Sequence, residues 1–310
     1  MSNRKLSPRL LLAAAASFAS VAVAAPAAGS APPVVAGTLE APPNDEASGL
    51  AASRRNPGLI WTHDDSGGAP ELYAVDAKGH LRGTLRLDGV KAEDWEDVAA
   101  AEFDGKAWLV VGDTGDNHAK RRHTLIHLVA EPAAERLSPG QPVVERPTAT
   151  LRLTYPDGPR DCESLAVDAA ERAIYLLSKR DPVPRLYRVD LPRPLRNAEL
   201  TARFLGEAGR LPQPTAAQKL VRGYLGEHRS WPTAMDFAAD GSAAAVLTYG
   251  HLLLFPRRAG EPWAATLARE PVILPAHNLP QAEAMCFSAD GRAILVASEK
   301  SRSLLRYELR

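Results

Sequence analysis

Five segments of the 310-residue chain repeat one plan, and that repetition limits the fold more than any other feature. Each runs from an acid or hydroxyl through a short apolar stretch, a turn, a second apolar stretch, a polar break and a third. The five are "EASGLAASRRNPGLIWTHDDSGGAPELYAVDAKG", "DWEDVAAAEFDGKAWLVVGDTGDN" running on to "TLIHLVAEP", "DCESLAVDAAERAIYLLSKRDPVPRLYRVDLP", "TAMDFAADGSAAAVLTYGHLLLFPRR" and "EAMCFSADGRAILVASEKSRSLLRYELR". Short runs rich in Val, Leu, Ile, Tyr and Trp, punctuated by Asp-Gly and Pro turns, predict antiparallel strands. Helical spacing is confined to residues 215–221. "LRGTLRLDG", "ATLRLTYPD", "LTARFLGEA" and "EPVILPA" lie between the modules and supply a fourth strand to each. The expected fold is all-β, a β-propeller of five blades, with six as the alternative. A two-sheet sandwich would not require such regular repetition. The last module stops after its third strand, and "VVAGTLEAPP" has the pattern of the missing fourth, so the N-terminal strand is expected to close the ring. The propeller is read as residues 34–310. The stretch at about 206–232 is read as an insertion, too short for a blade and lacking clear strands.

In an antiparallel meander the innermost strand starts where the second one ends. Glu96 and Asp97 are therefore expected beside Asp113, Asp116 and Asn117, and Asp64 occupies in the first module the place of Asp113 in the second. By the same argument Ser48 falls beside His63, Asp64 and Asp65, Glu163 beside Lys179 and Arg180, Thr233 beside Tyr249 and His251, and Glu283 beside Glu299 and Lys300. A closed ring gathers all of them at one mouth of the central channel.

Three equivalent glutamates, Glu96, Glu163 and Glu283, repel one another if ionised close to the axis. A cation, the basic residues Lys179, Arg180 and Lys300, or a shared proton must balance them. Oxygen ligands with no Cys/His ligand spacing favour calcium or magnesium over zinc. The candidate metal ligands are Glu96, Asp97, Asp113, Glu163 and Glu283, with Ca2+ the expected ion. The competing reading pairs the glutamates with basic residues and backbone amides to hold the blades in register. Glu163, His63 and His251 are candidate general bases, and Lys179, Arg180 and Lys300 are candidates for binding a negatively charged substrate. "GDTGDN" by itself is ordinary turn chemistry, and the other histidines follow no metal-ligand spacing. No G-x-S-x-G elbow, phosphate-binding loop or dinucleotide fingerprint is present. Trp61, Trp95 and Trp108 are expected to fill space between blades, whereas Trp231 and Tyr224, in the insertion, are candidates for a ligand lid.

Thirty-seven basic and 37 acidic residues give a net charge of zero, which offers no basis for nucleic-acid binding. The expected partner is a small anionic or polar ligand at the mouth of a monomer. Residues 1–25 combine Arg4, Lys5 and Arg9 with an alanine-rich apolar run and a small-residue cleavage region, the pattern of a signal peptide. Residues 26–33 form a Pro/Ala linker. The mature chain is expected to be exported, periplasmic or secreted, with no membrane span. Cys162 and Cys286 are read as buried free thiols.

The motifs "WTHDDSGG", "DWEDVAA", "GDTGDN" and "DCESLAVD" followed by "YLLSKR" resemble a set of uncharacterised secreted bacterial β-propellers, over most of the chain from about residue 44 onward. More distantly the chain is similar to phytase-like, SMP-30/gluconolactonase and NHL propellers. Some of these place calcium at the channel mouth and hydrolyse phosphoesters or lactones. The resemblance puts Glu96, Glu163 and Glu283 in the place of metal-binding acids, although Ser48 and Thr233 interrupt the pattern. It implies a divalent-metal-assisted hydrolase. The alternative is a non-catalytic extracytoplasmic binding module.

Overall fold

A computed structural model describes residues 31–43 and 46–309. The expected signal peptide and residues 26–30 of the linker lie outside the described residues. A first strand, β1 (Val34–Thr38), is followed by five sheets. Blade 1 contains β2 (Ala47–Ala52), β3 (Leu59–Asp64), β4 (Glu71–Asp76) and β5 (Leu81–Leu87). Blade 2 contains β6 (Asp97–Phe103), β7 (Lys106–Asp113) and β8 (Thr124–Ala130); β9 (Val143–Glu145) intervenes before its fourth strand, β10 (Ala149–Thr154). Blade 3 is β11 (Cys162–Asp168), β12 (Ala173–Ser178), β13 (Arg185–Asp190) and, after β14 (Ala198–Thr201), β15 (Arg203–Glu207). Blade 4 is β16 (Pro232–Phe237), β17 (Ala243–Thr248), β18 (Leu252–Pro256) and β19 (Val272–Ile273). Blade 5 is β20 (Ala282–Phe287), β21 (Ala293–Ser298) and β22 (Ser301–Glu308), completed by β1.

The protein is a five-bladed β-propeller. β1 pairs antiparallel with β22, Val34 opposite Arg306 and Thr38 opposite Ser303, so the two chain ends share one sheet. The innermost strands β2, β6, β11, β16 and β20 pack around the ring, with β20 returning to β2. Five hydrophobic clusters fill the five seams between adjacent blades. Because each inner strand is covered on both faces by neighbouring blades, β2 and β20 are buried throughout. The outer β10 instead alternates buried with exposed positions, as a half-covered strand should. Small side chains at the hub, such as Ala51, Ala99, Ala166, Ala234 and Ala284, let the five inner strands converge. The Phe-Asp-Gly-Lys turn joins β6 to β7 through Asp104 (φ 52°) and Gly105 (φ 68°), the left-handed pair that a two-residue hairpin requires.

Three features were not legible in the repeat. β9 leaves blade 2 to pair in parallel with β5 of blade 1, and β14 leaves blade 3 to pair in parallel with β10 of blade 2. The stretch expected as one fourth strand, 200–208, is thus split at buried Ala202, whose N–H donates to the Thr154 carbonyl. In the third, a one-turn helix, α1 (Trp263–Leu267), packs Trp263 flat against Phe237 at 3.7 Å. The 215–221 stretch forms only a short 3-10 turn at Gln218–Leu220. Trp61, Trp95 and Trp108 are buried in the seams as expected. Cys162 and Cys286 are buried free thiols, each in a different seam.

Closure by β1 yields a stability prediction. A chain starting at Leu39 leaves the β22 edge unpaired, whereas one starting at Ala31 keeps it covered. The shorter chain is expected to lose about 3 kcal/mol or more, roughly 6–12 °C in Tm, read by calorimetric melting of the two chains.

Candidate functional site at the channel mouth

Strand register places the acids. Asp97 stands opposite Gly112, Cys162 opposite Ser178 and Ala282 opposite Ser298, so the residues flanking these pairs meet at one end of the channel. In four blades the ladder shifts register at the entry of the inner strand, at Ser48–Gly49, Glu163, Thr233 and Glu283. Such bulges re-aim side chains. Blade 2 has no shift there, and Glu96 sits just before its strand.

The equivalent positions divide into two jobs. Ser48 donates its hydroxyl to the Glu96 carbonyl of the next blade at 3.0 Å, and Thr233 donates to the Ala282 carbonyl of the next at 2.8 Å. These hydroxyls clasp blades together. Glu96, Glu163 and Glu283 instead present buried carboxylates to one another: Glu163 repels Glu96 and Glu283 repels Glu163.

Among the described residues, two groups of three acids have ligand atoms within 4.8 Å of one another: Asp65, Asp94 and Glu96, and Glu96, Asp161 and Glu163. Glu96 belongs to both. It is 4% exposed, and no hydrogen bond of the described residues reaches its carboxylate. Burial first, then the charges of Glu163 and Asp65, hold its pKa well above the usual range. Asp65 is pushed up to about 7 by burial and by Glu283, and Asp94 to about 6 by burial and by Asp161. Asp65 Oδ1 is a buried oxygen with no partner. Gly115 makes the approach possible, because a Cβ there would lie 2.1 Å from Glu96 Oε1 and 2.4 Å from Asp94 Oδ2.

Several expected ligands have other partners. Asp97 is not in either group: its Oδ2 accepts the N–H of Leu165 at 2.8 Å and of Met235 at 3.3 Å, while Oδ1 accepts Val98 N–H. It ties blade 2 to blades 3 and 4 from inside the channel. Asp113 is fully buried, paired with Arg121 at 2.7 Å, and accepts the N–H groups of Glu93 and Asp94, fixing the loop that carries Asp94. Glu283 also lies outside both groups. It accepts the Tyr249 hydroxyl and lies 3.6 Å from Lys179. Despite burial, Lys179 and its hydrogen-bonding neighbours pull its pKa down, while burial and Glu283 push the adjoining Glu299 up to about 10.

Lys179 is buried, contacts Glu163 directly and is committed to the glutamates instead of being free for substrate. Arg180 bonds Asp161 at 2.5 Å, contacts Asn117 and stacks on Trp231 at 4.7 Å. Lys300 is exposed at the rim, 4.0 Å from Glu299. The His63 ring does not open into the mouth. It is fully buried, with Nδ1 2.8 Å from the Asp64 carbonyl and its ring edge-on to Trp95, and burial drops its pKa to about 4. Trp231 contacts Arg180 and stacks on His228 at 3.6 Å and, with Lys179, Arg180, Gln213, Lys219 and Ser230, lines a cavity of about 220 Å³. Tyr224 lies against Tyr249 at 6.1 Å. Asp94 and Asp161 escaped sequence reasoning because each immediately precedes the conspicuous "WED" or "CES" residues, and only the loop held by Asp113 turns Asp94 inward.

No known protein family matches the chain, and no curated protein does. Among solved structures it is similar to a gluconolactonase from Xanthomonas campestris (11% identity, TM-score 0.45, covering 85% of this chain and 72% of that one). It is similar also to the PQQ-bound aldose sugar dehydrogenase of Streptomyces coelicolor (13%, TM-score 0.47, 92% and 99%). A chain of a nidogen/laminin complex matches at 12% identity and TM-score 0.43, covering 85% and 76%. None of the three bears on individual residues. Among the described residues no helix is long and apolar enough to cross a membrane.

Two outcomes follow from this geometry. Asp97→Ala orphans the Leu165 and Met235 N–H groups and is expected to cost about 2–4 kcal/mol in urea unfolding; Asp97→Asn, which keeps one acceptor, is expected to cost less. Asp65 and Asp94 have folded pKa values above their unfolded ones, so the stability from their protonated forms is present at low pH and lost as pH rises through about 6 to 7. In chelator, the wild type minus the Asp65→Asn/Asp94→Asn double variant is therefore expected to fall in unfolding free energy between pH 5 and 7.5. A flat or rising difference would contradict the placement of these carboxyls.

Proposed function

We propose that the mouth binds a hard divalent cation, with calcium the fitting ion, and hydrolyses a small phosphoester or lactone that enters through the Arg180–Trp231 cavity. The observation that carries this reading is Glu96, a buried carboxylate that no donor serves, standing at the shared vertex of two acid triplets. Uncompensated carboxylates in a low-dielectric channel are costly unless protonated or neutralised by a cation. Asp65, Asp94 and Glu96 are the better ligand set, because Lys179 already neutralises Glu163. An all-oxygen set suits calcium or magnesium. Such an ion supplies Lewis-acid polarisation of a phosphoryl or carbonyl oxygen and lowers the pKa of water.

The chain's own residues do the rest. Asp113 holds the backbone that aims Asp94, and Gly115 leaves the space the two carboxylates need. Arg180, fixed by Asp161 and Trp231, presents positive charge at the cavity wall, where an anionic substrate group would dock. Export to the periplasm or medium, suggested by the N-terminal residues, accords with a calcium-replete setting.

Calcium is expected to raise Tm of the wild-type protein and chelator to reverse the shift, because an ion bound to the native state stabilises it by mass action. Glu96→Gln is expected to abolish the response and any turnover on a panel of phosphoesters and lactones. No calcium or magnesium response in the wild type would end the reading. A response without turnover on either substrate class would leave a cation-stabilised binding module in place of a hydrolase.

A further inference from the structure

Beyond the acids, the same face of the propeller carries a cluster of opposite character. Arg229 lies near the end of the segment joining blades 3 and 4 and is half-buried. Among the described residues it makes no ion pair. Its Nη2 reaches only the Gly250 carbonyl at 3.4 Å, and its buried Nε has no partner. Gly250, in the turn between β17 and β18, donates its N–H to the Arg229 carbonyl at 2.9 Å. The guanidinium lies so close over Gly250 that Nε and Nη2 stand 3.0 Å from the position of a Cβ.

The next residue, His251, has a buried Nδ1 without a partner. His277, in the loop from β19 to β20, is 6% exposed. Its Nδ1 accepts the Leu279 N–H at 3.1 Å, so in the neutral ring Nε2 carries the hydrogen. That Nε2 makes no hydrogen bond of normal geometry, although the Thr248 carbonyl is near enough to favour the charged ring. Burial keeps His277 neutral, with His251 and Arg229 acting in the same direction, so the three side chains share one electrostatic neighbourhood. His251 is likewise influenced by Arg229, and among the described residues no carboxylate acts on either ring. A half-buried guanidinium with an unpartnered Nε and no counter-ion among the described residues, beside two rings that each leave a buried nitrogen unserved, is costly as it stands. An oxyanion supplies both the charge and the lone pairs.

We infer that Arg229, His251 and His277 form a binding site for a small tetrahedral oxyanion, phosphate or sulfate, at the junction of blades 4 and 5. The anion ties the 208–231 segment to the turn at residues 249–251. Tyr249 belongs to that turn and donates its hydroxyl to Glu283, so anion binding steadies the wall of the acidic mouth. The site does not depend on the cation, and the two can be tested apart.

The experiment is calorimetric titration of the full chain, in chelator, with inorganic phosphate, sulfate and acetate. One phosphate or sulfate site is expected, with acetate weaker. Arg229→Gln and His277→Gln should each weaken phosphate about tenfold or more, whereas Lys219→Gln, in the neighbouring cavity, and Glu96→Gln should leave it unchanged. No phosphate binding by the wild type would overturn the inference. So would undiminished binding by Arg229→Gln, a loss confined to Lys219→Gln, or acetate matching phosphate. Should Arg229→Gln fail to fold, a phosphate-soaked crystal of the wild type decides: an anion within hydrogen-bond distance of Arg229 and His277 supports the site, and water there refutes it.

Discussion

Five strands converge on one axis, and the rest of the molecule is arranged around that crowding. An inner strand has a sheet partner on one edge only, so its outward N–H groups face the channel and need acceptors. Asp97 answers for blades 3 and 4 through the N–H groups of Leu165 and Met235, and Asp236 does the same for Phe287 of blade 5. Ser48, Thr114 and Thr233 then fasten hydroxyls onto carbonyls of the following blade. The hub is thus held by polar clasps as well as by the alanine-rich contacts that permit its narrow radius.

The acidity of the mouth follows from the same geometry. Entry to each inner strand is a place where side chains from different blades meet, and bulges at four of the five entries re-aim those side chains. Where the entry residue is Ser or Thr, it becomes a clasp. Where it is Glu, the charge is left in the channel. Lys179 absorbs the charge of Glu163 and Glu283, and a raised pKa keeps Glu299 protonated beside Glu283. Glu96, with Asp65 and Asp94 on one side and Asp161 on the other, has no ion pair of its own among the described residues, and the charge of Lys179 offsets less of its shift than burial, Glu163 and Asp65 add. The mouth is consequently polarised, compensated on the side of blades 3 and 5 and open to a cation on the side of blades 1 and 2.

Parallel strands handed back from one blade to the preceding one add a second kind of closure. β9 and β14 interlock blades 1 to 3 at their outer edges, and β1 locks the ends of the chain within blade 5. The segment 208–231 is fastened by its aromatic and basic residues, with Trp231 against Arg180 and His228, and Arg229 over Gly250. It forms part of the wall of the mouth.

The repeat, the number of blades, the closing strand and the meeting of Glu96 with Glu163 were legible in the chain, because strand alternation and antiparallel register are local rules that sequence spacing expresses directly. Which acids share a ligand-sized space was not. Asp97 and Glu96 are adjacent and both carboxylic, yet one points to the N–H groups of two other blades and the other into the mouth, as the alternation of successive side chains at the start of β6 requires. His63 looked like a mouth residue from its place beside Asp64, but strand alternation turns its ring into the seam with Trp95. Sequence by itself determined the ring and the side of it on which charge collects. Only the tertiary structure decided which charges are spent on backbone, which are neutralised by Lys179 and which remain, because partners in a propeller come from blades far apart in the chain.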